Sequence, residues 1–127
     1  MSWQAYVDSS MLGSGQIARG AILGQKGGVW ATSAGYTLSK PEQDFLVKTA
    51  FNTPGEAQAH GITLAGIKYM CLQATDEELL GRKGEKGCII MKTKQAILVA
   101  EYDPPVIVGD ANVVLAKLAK YLKDSGY

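Results

Sequence analysis

Side chains able to carry catalysis are scarce in this sequence. His60 is the single histidine, and it lies in residues 57–61, which we expect to form a solvated loop where a histidine rarely serves as a general base. The GxSxG and HExxH motifs are absent, and the nearest match to a phosphate-binding loop, Gly61 and Gly66, lacks the lysine that must follow the second glycine. The acidic run Asp76-Glu77-Glu78 has the composition of a turn between strands. We therefore expect a protein without enzymatic activity.

Residues that could hold a metal or a cofactor are also scarce. Cys71 and Cys88 are the only cysteines, and they show no CxxC spacing. A structural zinc site needs about four ligands, so neither a metal nor a cofactor is expected. The first residues also lack the basic and apolar regions of a signal peptide. We therefore expect reduced thiols in a cytoplasmic protein.

Large aromatic side chains lean toward the two ends of the chain, with Trp3 and Tyr6 at one end and Tyr121 and Tyr127 at the other. One interpretation places these rings, together with Trp30, in the core. Burial is harder to arrange near a chain end, where helices fray. Aromatic rings held at a surface bind extended proline-rich peptides, because the preformed polyproline II helix loses little entropy on docking. Both interpretations stay open, because the sequence does not show whether the two ends meet.

A second candidate surface is basic. Residues 82–94 contain one acid, Glu85, and five basic residues, namely Arg82, Lys83, Lys86, Lys92 and Lys94. This composition is typical of the solvated rim of a hairpin. It also suits a docking patch for an acidic protein or for anionic lipid headgroups, to which each base contributes about 1 kcal/mol. Charge alone does not distinguish a protein partner from a lipid.

Periodicity and turn signals predict the elements that position these residues. Helices are predicted over residues 3–12, 41–52 and 109–124, and strands over 21–23, 29–32, 62–64, 68–74, 78–82, 88–92 and 96–102. Ser2 is a suitable N-cap for the first helix, and Gly13 and Gly15 end it. Successive strands joined by short turns form an antiparallel meander. The pattern predicts an α+β fold in which helices cover a mostly antiparallel sheet.

The last predicted helix has one apolar face and one charged face. The apolar face carries Ala111, Val114, Leu115, Leu118 and Leu122, with Tyr121 at its edge. On the charged face, Val113 is an apolar residue among Lys117, Lys120 and Asp124. Val113 is therefore a candidate contact for a partner.

Composition limits the remaining classes of protein. The 127 residues fit a single domain covering residues 1–127, and a hydrophobic content of 46% excludes a disordered chain. A formal net charge of +1 argues against a nucleic-acid-binding domain, which is usually strongly basic. The longest purely apolar run, residues 96–100, is far shorter than the roughly 20 residues of a transmembrane helix.

Several short stretches, in order along the whole chain, resemble the profilin family, and in particular its shorter, non-animal branch. They are Ser2-Trp3-Gln4-Ala5-Tyr6-Val7-Asp8, Ala21-Ile22-Leu23-Gly24, Val29-Trp30-Ala31, Leu64-Ala65-Gly66-Ile67-Lys68-Tyr69-Met70, Gly81-Arg82-Lys83-Gly84, Lys92-Thr93-Lys94, Ile97-Leu98-Val99 and the closing stretch from Asn112-Val113-Val114 to Ser125-Gly126-Tyr127. Each stretch by itself is weak evidence for the family, but the occurrence of all of them in the same order makes the resemblance specific.

The resemblance implies a central antiparallel sheet with the N- and C-terminal helices side by side on one face and shorter helices on the other. It implies a cytoplasmic, cytoskeleton-associated protein that binds monomeric actin, regulates actin polymerisation, and binds proline-rich partners such as formins at a separate site. Phosphoinositide headgroups are a further implied ligand, while a cofactor and enzymatic activity are not implied. The alternative is a proline-motif or lipid-binding adaptor with weak or no actin binding.

The resemblance also assigns residues to each implied site. The proline-peptide platform would consist of Trp3, Tyr6, Trp30, Tyr121 and Tyr127. The actin face would include Lys68, Cys71, Gln73, Arg82, Lys83, Lys92, Ile107, Gly109, Asn112, Val113 and Lys117. Phosphoinositide would meet Arg82, Lys83, Lys86, Lys92 and Lys94, so lipid and actin should compete.

Overall fold

Seven strands form one curled antiparallel sheet in the computed structural model, which describes residues 2–127. They are β1 (Arg19–Gly24), β2 (Val29–Thr32), β3 (Ile62–Leu64), β4 (Ile67–Ala74), β5 (Glu78–Lys83), β6 (Lys86–Lys92) and β7 (Ala96–Tyr102). Their order across the sheet is β2-β1-β7-β6-β5-β4-β3. Strands β3 to β7 form the predicted meander, and the β1–β2 hairpin joins it through pairing of β1 with β7.

Four helical segments accompany the sheet within the described residues. Helix α1 (residues 3–14) consists of an α-helical turn Trp3–Ala5, a π-helical stretch Tyr6–Met11 and a 3₁₀ turn Leu12–Ser14. Helix α2 (residues 40–50) is α-helical over Lys40–Asp44 and π-helical over Phe45–Ala50. Helix α3 is Pro54–His60 and α4 is Val108–Asp124. None of these helices has both the length and the hydrophobicity needed to cross a bilayer.

Local chemistry accounts for the helix ends. The Ser2 hydroxyl accepts a hydrogen bond from the backbone N–H of Ala5 at 3.1 Å, as an N-cap does. Gly15, with φ of 78°, adopts the left-handed conformation that ends α1. At α2, the Ser39 hydroxyl and the Glu42 carboxylate form a capping box. The predicted first two helices are therefore present, although each contains a π-helical stretch that their sequence does not signal.

Each face of the sheet has its own hydrophobic core. The first core packs α1 and α4 on one face through Val7, Met11, Ala111, Leu115, Leu118 and Leu122, against Ile22, Ile89 and Leu98 of the sheet. The second core packs α2 and α3 on the other face through Leu46, Ala50 and Ala57, against Leu23, Leu79, Ile90 and Val99. Each fully buried Leu or Ile stabilises the fold by about 1.5–3 kcal/mol. The α+β architecture, with terminal helices on one face and shorter helices on the other, is confirmed.

Two details of the sequence prediction are wrong. Residues 57–61 are not a loop, because α3 continues to His60, whose side chain is exposed and lies 3.2 Å from Glu56. Helix α2 ends before Pro54, and because proline is favoured in the first turn of a helix, α3 begins there. On α4, Val114 is only half-buried, whereas Ala119 joins the core.

An acidic side chain is buried against the sheet. The Glu101 side chain is fully buried in β7 and accepts a hydrogen bond from the Tyr69 hydroxyl of β4. The Arg19 guanidinium lies 3.6 Å from the same carboxylate and donates to both Asp103 oxygens, at 2.9 and 2.8 Å. These bonds to Arg19 hold the pKa of the Asp103 carboxyl below its usual range. The network fixes the end of β7, from which the chain enters the segment leading to α4.

Candidate functional site

Five aromatic side chains meet at the surface where α1, α4 and the β1–β2 hairpin come together. The Trp3 ring centroid lies 4.7 Å from that of Trp30, 5.2 Å from that of Tyr127 and 5.6 Å from that of Tyr6. Tyr6 lies 6.0 Å from Tyr121. We call these five residues the aromatic platform. Trp30, Tyr121 and Tyr127 are exposed, whereas Trp3 and Tyr6 are half-buried and pack against the first core. The sequence interpretation that placed the rings in the core is therefore wrong for Trp30 and right only in part for Trp3.

Trp3 and Trp30 are positioned by contacts between α1 and the hairpin. The Gln4 side chain donates to the Thr32 carbonyl at 2.8 Å and so ties the start of α1 to β2. The Trp30 indole lies against the backbone of Gly24 in β1, where an added Cβ would be 2.6 Å from the indole Nε1. Glycine at position 24 is therefore what allows the indole to lie there.

Tyr127 is held in place by the β6–β7 turn. Its carbonyl oxygen accepts hydrogen bonds from the backbone N–H of Gln95 at 2.5 Å and from the Thr93 hydroxyl at 2.7 Å. Its own N–H donates to the Leu122 carbonyl at 2.8 Å. These bonds bring the end of the chain back beside Trp3, which joins the two ends of the sequence in space.

The aromatic platform presents neutral hydrogen-bond donors as well as rings. The neighbouring Tyr121 hydroxyl, and to a lesser extent burial, raise the pKa of Tyr6, so its hydroxyl stays protonated at neutral pH. Indole N–H and phenol O–H groups are donors. The arrangement suits an extended peptide with apolar rings and free carbonyls, because such a peptide can both stack and accept hydrogen bonds.

A second exposed surface lies at the other end of α4, on β4 and β5. Met70 and Val113 are each 66% exposed, and Ile107 and Leu72 are also exposed. Met70 pairs with Arg82 across β4 and β5, and Lys68 lies on the same side of β4 by strand alternation. The surface is therefore apolar in part, with basic side chains beside it. A group of large exposed apolar residues on one surface is typical of a protein-binding site.

Most of the residues predicted for an actin face border this surface. Asn112 donates to Glu78 at 3.2 Å and thereby ties the first part of α4 to β5. Gly109, Val113 and Lys117 belong to the exposed side of the same helix. Ile107 immediately precedes α4. On the sheet, Lys68, Gln73, Arg82 and Lys83 are exposed on the neighbouring strands β4 and β5.

Three of the predicted actin-face residues lie apart. Lys83 directly follows Arg82 in β5, so strand alternation places it on the opposite face of the sheet. Cys71 packs against the second core, on the face of the sheet opposite Lys68, and burial raises the pKa of its thiol. Lys92 lies at the far end of β6, in a groove beside Glu77 and Lys120.

The residues predicted to bind phosphoinositide lie in two separate groups. Lys86 and Lys92 are the first and last residues of β6, and an extended strand of that length spans roughly 20 Å. Arg82, Lys83 and Lys86 therefore cluster at the β5–β6 turn, whereas Lys92 and Lys94 lie at the opposite end of the strand. We call the first three the hairpin bases.

Met70 and Leu72 were not predicted from the sequence. Both fall in an apolar stretch that is typical of a buried strand, but α4 packs over β6 and β7 and leaves this part of β4 uncovered. Strand alternation alone placed Met70 on the same side as Lys68. This alternation was the one feature of the sequence that could have indicated an exposed Met70, but it does not show which strands α4 covers.

Comparison with known proteins gives a consistent result. A family model described as Profilin matches residues 1–127. The chain is 44% identical over 128 residues to profilin-1 of Dictyostelium discoideum, with all of both chains covered. The solved structure of Acanthamoeba castellanii profilin IB matches with a TM-score of 0.95 at 42% identity, covering 99% of this chain and 100% of that one. Mouse profilin IIa, solved in complex with a double repeat from the FH1 domain of mDia1, shares the fold with a TM-score of 0.81 at 24% identity, with both chains fully covered.

Proposed function

The chain belongs to the profilin family, a family of actin-binding proteins that are not enzymes, and from this premise we propose that it binds monomeric actin and proline-rich partners at two separate sites. Through the first site it regulates actin polymerisation in the cytoplasm. Through the second it brings actin to proline-rich proteins, with formins among the candidates. The whole chain acts as one domain in this proposal.

The aromatic platform is the observation that carries the proposal. Five rings from both ends of the chain and from β2 lie within 6.0 Å of a neighbouring ring while staying accessible to solvent. Exposing so much aromatic surface forgoes the stabilisation that burial would give. Such an arrangement is expected where a partner covers the rings, and a polyproline II helix matches their combination of stacking faces and donors.

The actin face in this proposal has an apolar centre beside the first turns of α4. Val113, Met70, Leu72 and Ile107 supply exposed apolar area, and Lys68, Arg82 and Lys117 supply positive charge. Gln73, Gly109 and Asn112 complete the face, and Lys83 lies at its edge because it alternates with Arg82 along β5. An apolar centre with a charged rim is the usual arrangement of a specific protein interface. Cys71 and Lys92 would contribute only at its margin, because one packs inward and the other lies at the far end of β6.

Phosphoinositide binding is proposed for the hairpin bases, Arg82, Lys83 and Lys86. Since Arg82 also belongs to the proposed actin face and Lys83 lies at its edge, lipid and actin would compete for these residues. Lys92 and Lys94 would act separately. Vesicles containing phosphatidylinositol bisphosphate should retain the protein more than neutral phosphatidylcholine vesicles, and a triple exchange of the hairpin bases to Gln should abolish the difference. Equal retention of wild type and variant would contradict this assignment.

One experiment tests the two main sites together. The protein is loaded on immobilised polyproline in the presence of monomeric actin, and both proteins are measured in the eluate. Retention of both supports the proposal. Retention of the protein without actin supports the adaptor alternative, in which proline or lipid binding persists with weak or no actin affinity. Failure of the protein to bind the resin contradicts the platform assignment.

A further inference from the structure

A polar cleft adjoins the aromatic platform at its Trp30 end. The cleft has a volume of about 330 Å³, and its lining consists of Gly24, Gln25, Lys26, Gly27, Trp30, Lys94 and Gln95. Trp30 belongs to both the cleft and the aromatic platform, so the two surfaces are continuous. A ligand that covers the rings therefore has its next residues at the mouth of this cleft.

Hydrogen bonds between two turns hold the cleft in shape. The backbone N–H of Gln25 donates to the Gln95 carbonyl at 2.9 Å, and the Gln25 side chain donates to the Thr93 carbonyl. The β1–β2 turn, which carries Lys26, is thereby fixed to the β6–β7 turn, which carries Lys94. Gly27 and Gly28, with φ of 104° and 90°, give the first turn its tight path. The two lysines thus come from separate turns that are locked together.

The cleft carries positive charge without a counterion. Lys26 and Lys94 are its only charged lining residues, both are exposed, and neither forms an ion pair within residues 2–127. Trp30, whose Nε1 edge lies against Gly24, forms the wall that the cleft shares with the aromatic platform. Two lysines from separate turns therefore line a cleft whose lining contains no acidic side chain.

We propose that this cleft binds an acidic side chain directly flanking the proline segment of a ligand, so that the protein prefers proline-rich partners with an acidic end. The inference rests on the proposed binding of proline-rich segments to the aromatic platform. A polyproline II helix is stiff and rises about 3.1 Å per residue, so stacking on the rings fixes where the flanking residue lies. Charge at the rim of an interface selects between partners more than it raises affinity for all of them.

The test compares four peptides with blocked ends by calorimetric titration. They are a run of about ten prolines, the same run with two Asp residues before it, the run with two Asp residues after it, and the run with two Lys residues at each end. One Asp peptide should bind about threefold to tenfold more tightly than the neutral run at about 20 mM salt. The advantage should disappear at about 0.5 M salt, and the Lys peptide should bind more weakly than the neutral run.

Variants assign the effect to the cleft. The double variant Lys26→Gln/Lys94→Gln should lose the preference for the Asp peptide while keeping its affinity for the neutral run. Lys40→Gln/Lys48→Gln is the matched control, because it removes the same two positive charges from α2 on the opposite face of the sheet. Thermal melting of each variant separates a binding effect from loss of the fold.

The outcomes separate this inference from the function on which it rests. Binding of the neutral run without any preference for an Asp peptide overturns the acidic subsite and leaves the platform intact. Absence of binding by every peptide contradicts the platform itself. Retention on phosphoinositide vesicles that depends on Lys26 and Lys94, without a preference for an Asp peptide, makes the occupant a lipid headgroup and overturns the proposal.

Discussion

Trp3 is the central residue of the aromatic platform, since three of the four ring pairs include it. Its replacement by Ala should therefore remove the shared surface between Trp30, Tyr6 and Tyr127. We expect Trp3→Ala to weaken binding of a polyproline peptide by at least about 1–3 kcal/mol, as loss of an aromatic anchor does. Calorimetric titration measures the change, and Trp3→Phe, which keeps a ring, should lose less. Unchanged affinity in Trp3→Ala would exclude the aromatic platform as the binding site.

Gly24 controls the position of Trp30 because its lack of a side chain leaves room for the indole. A Cβ there would approach the indole Nε1 to 2.6 Å and Cε2 to 2.9 Å, so the ring must move in Gly24→Ala. We expect this variant to stay folded and to bind polyproline more weakly by about 1–2 kcal/mol. Gly55→Ala is a matched control, because its Cβ meets no atom within 4 Å. Equal affinity of both variants would show that the position of Trp30 does not matter.

At the residue scale, the sequence identified all five platform side chains by type and by their resemblance to a family. It did not identify Met70 and Leu72, because an apolar residue in a strand is normally buried and only tertiary packing decides which strand a helix covers. For Gly24, the sequence offered no reason to distinguish it from other strand glycines. The close approach of an indole is visible only in three dimensions.

Glu42 connects helix α2 to the β3–β4 turn. Its carboxylate accepts hydrogen bonds from the backbone N–H groups of Ser39, Ala65 and Gly66 at 2.8, 3.0 and 2.9 Å. Partial burial by itself raises the pKa of this carboxyl, but the three N–H donors together outweigh burial and leave the pKa below its ordinary value. The ionised carboxylate therefore stabilises the fold.

Acid should remove this stabilisation. Because the pKa is lower in the folded chain, the contribution is complete above the ordinary pKa of about 4.5 and is lost as the pH falls through the lower, folded value. We expect Glu42→Gln to lower the free energy of unfolding by about 1 kcal/mol at pH 7. The difference from wild type should shrink near pH 3. Urea denaturation at both pH values measures it, with Glu85→Gln on the exposed β5–β6 turn as control. A deficit that does not depend on pH would refute the role of the charge.

At the scale of elements, the strands were predictable because alternation and turn residues agree along residues 62–102. Helix α3 was not, because it is short and polar and begins soon after another helix. Among its side chains whose burial the structure describes, Ala57 alone is buried in the second core. The π-helical stretches of α1 and α2 were also beyond prediction. Helical periodicity in a segment of six residues does not distinguish 3.6 residues per turn from a wider helix.

The molecule as a whole separates its two proposed protein sites along α4. Val113 and Tyr121 lie on the same helix, and the rise of 1.5 Å per residue puts them roughly 12 Å apart along its axis. We expect Val113→Asp to weaken actin binding by about 1–3 kcal/mol through lost packing and a buried charge, with polyproline affinity unchanged. Titration with monomeric actin and with polyproline measures both, and Val113→Ala should show a smaller loss. Retention of full actin affinity by Val113→Asp would place the actin face elsewhere.

Only part of the whole-molecule arrangement could be predicted. The α+β architecture followed from the order of elements, and the meeting of the two chain ends followed from the family resemblance rather than from any residue pattern. Residues 82–94 looked like one basic stretch, but β6 is extended, and residues that are close in sequence are therefore far apart in space. The bases form two groups for this reason alone.

The separation of the basic residues into two groups affects how the protein binds to an ion-exchange resin. Its formal net charge is only +1. The hairpin bases nevertheless form a local positive patch, and binding to an ion-exchange resin depends on such a patch more than on the net charge. At neutral pH we expect the protein to be retained on a sulfonate column, and we expect the hairpin bases to determine the salt concentration at which it elutes. Arg82→Gln/Lys83→Gln should elute well before Lys40→Gln/Lys48→Gln, although the two variants carry the same net charge. Coelution of the two variants would show that retention depends on the net charge and not on the hairpin bases.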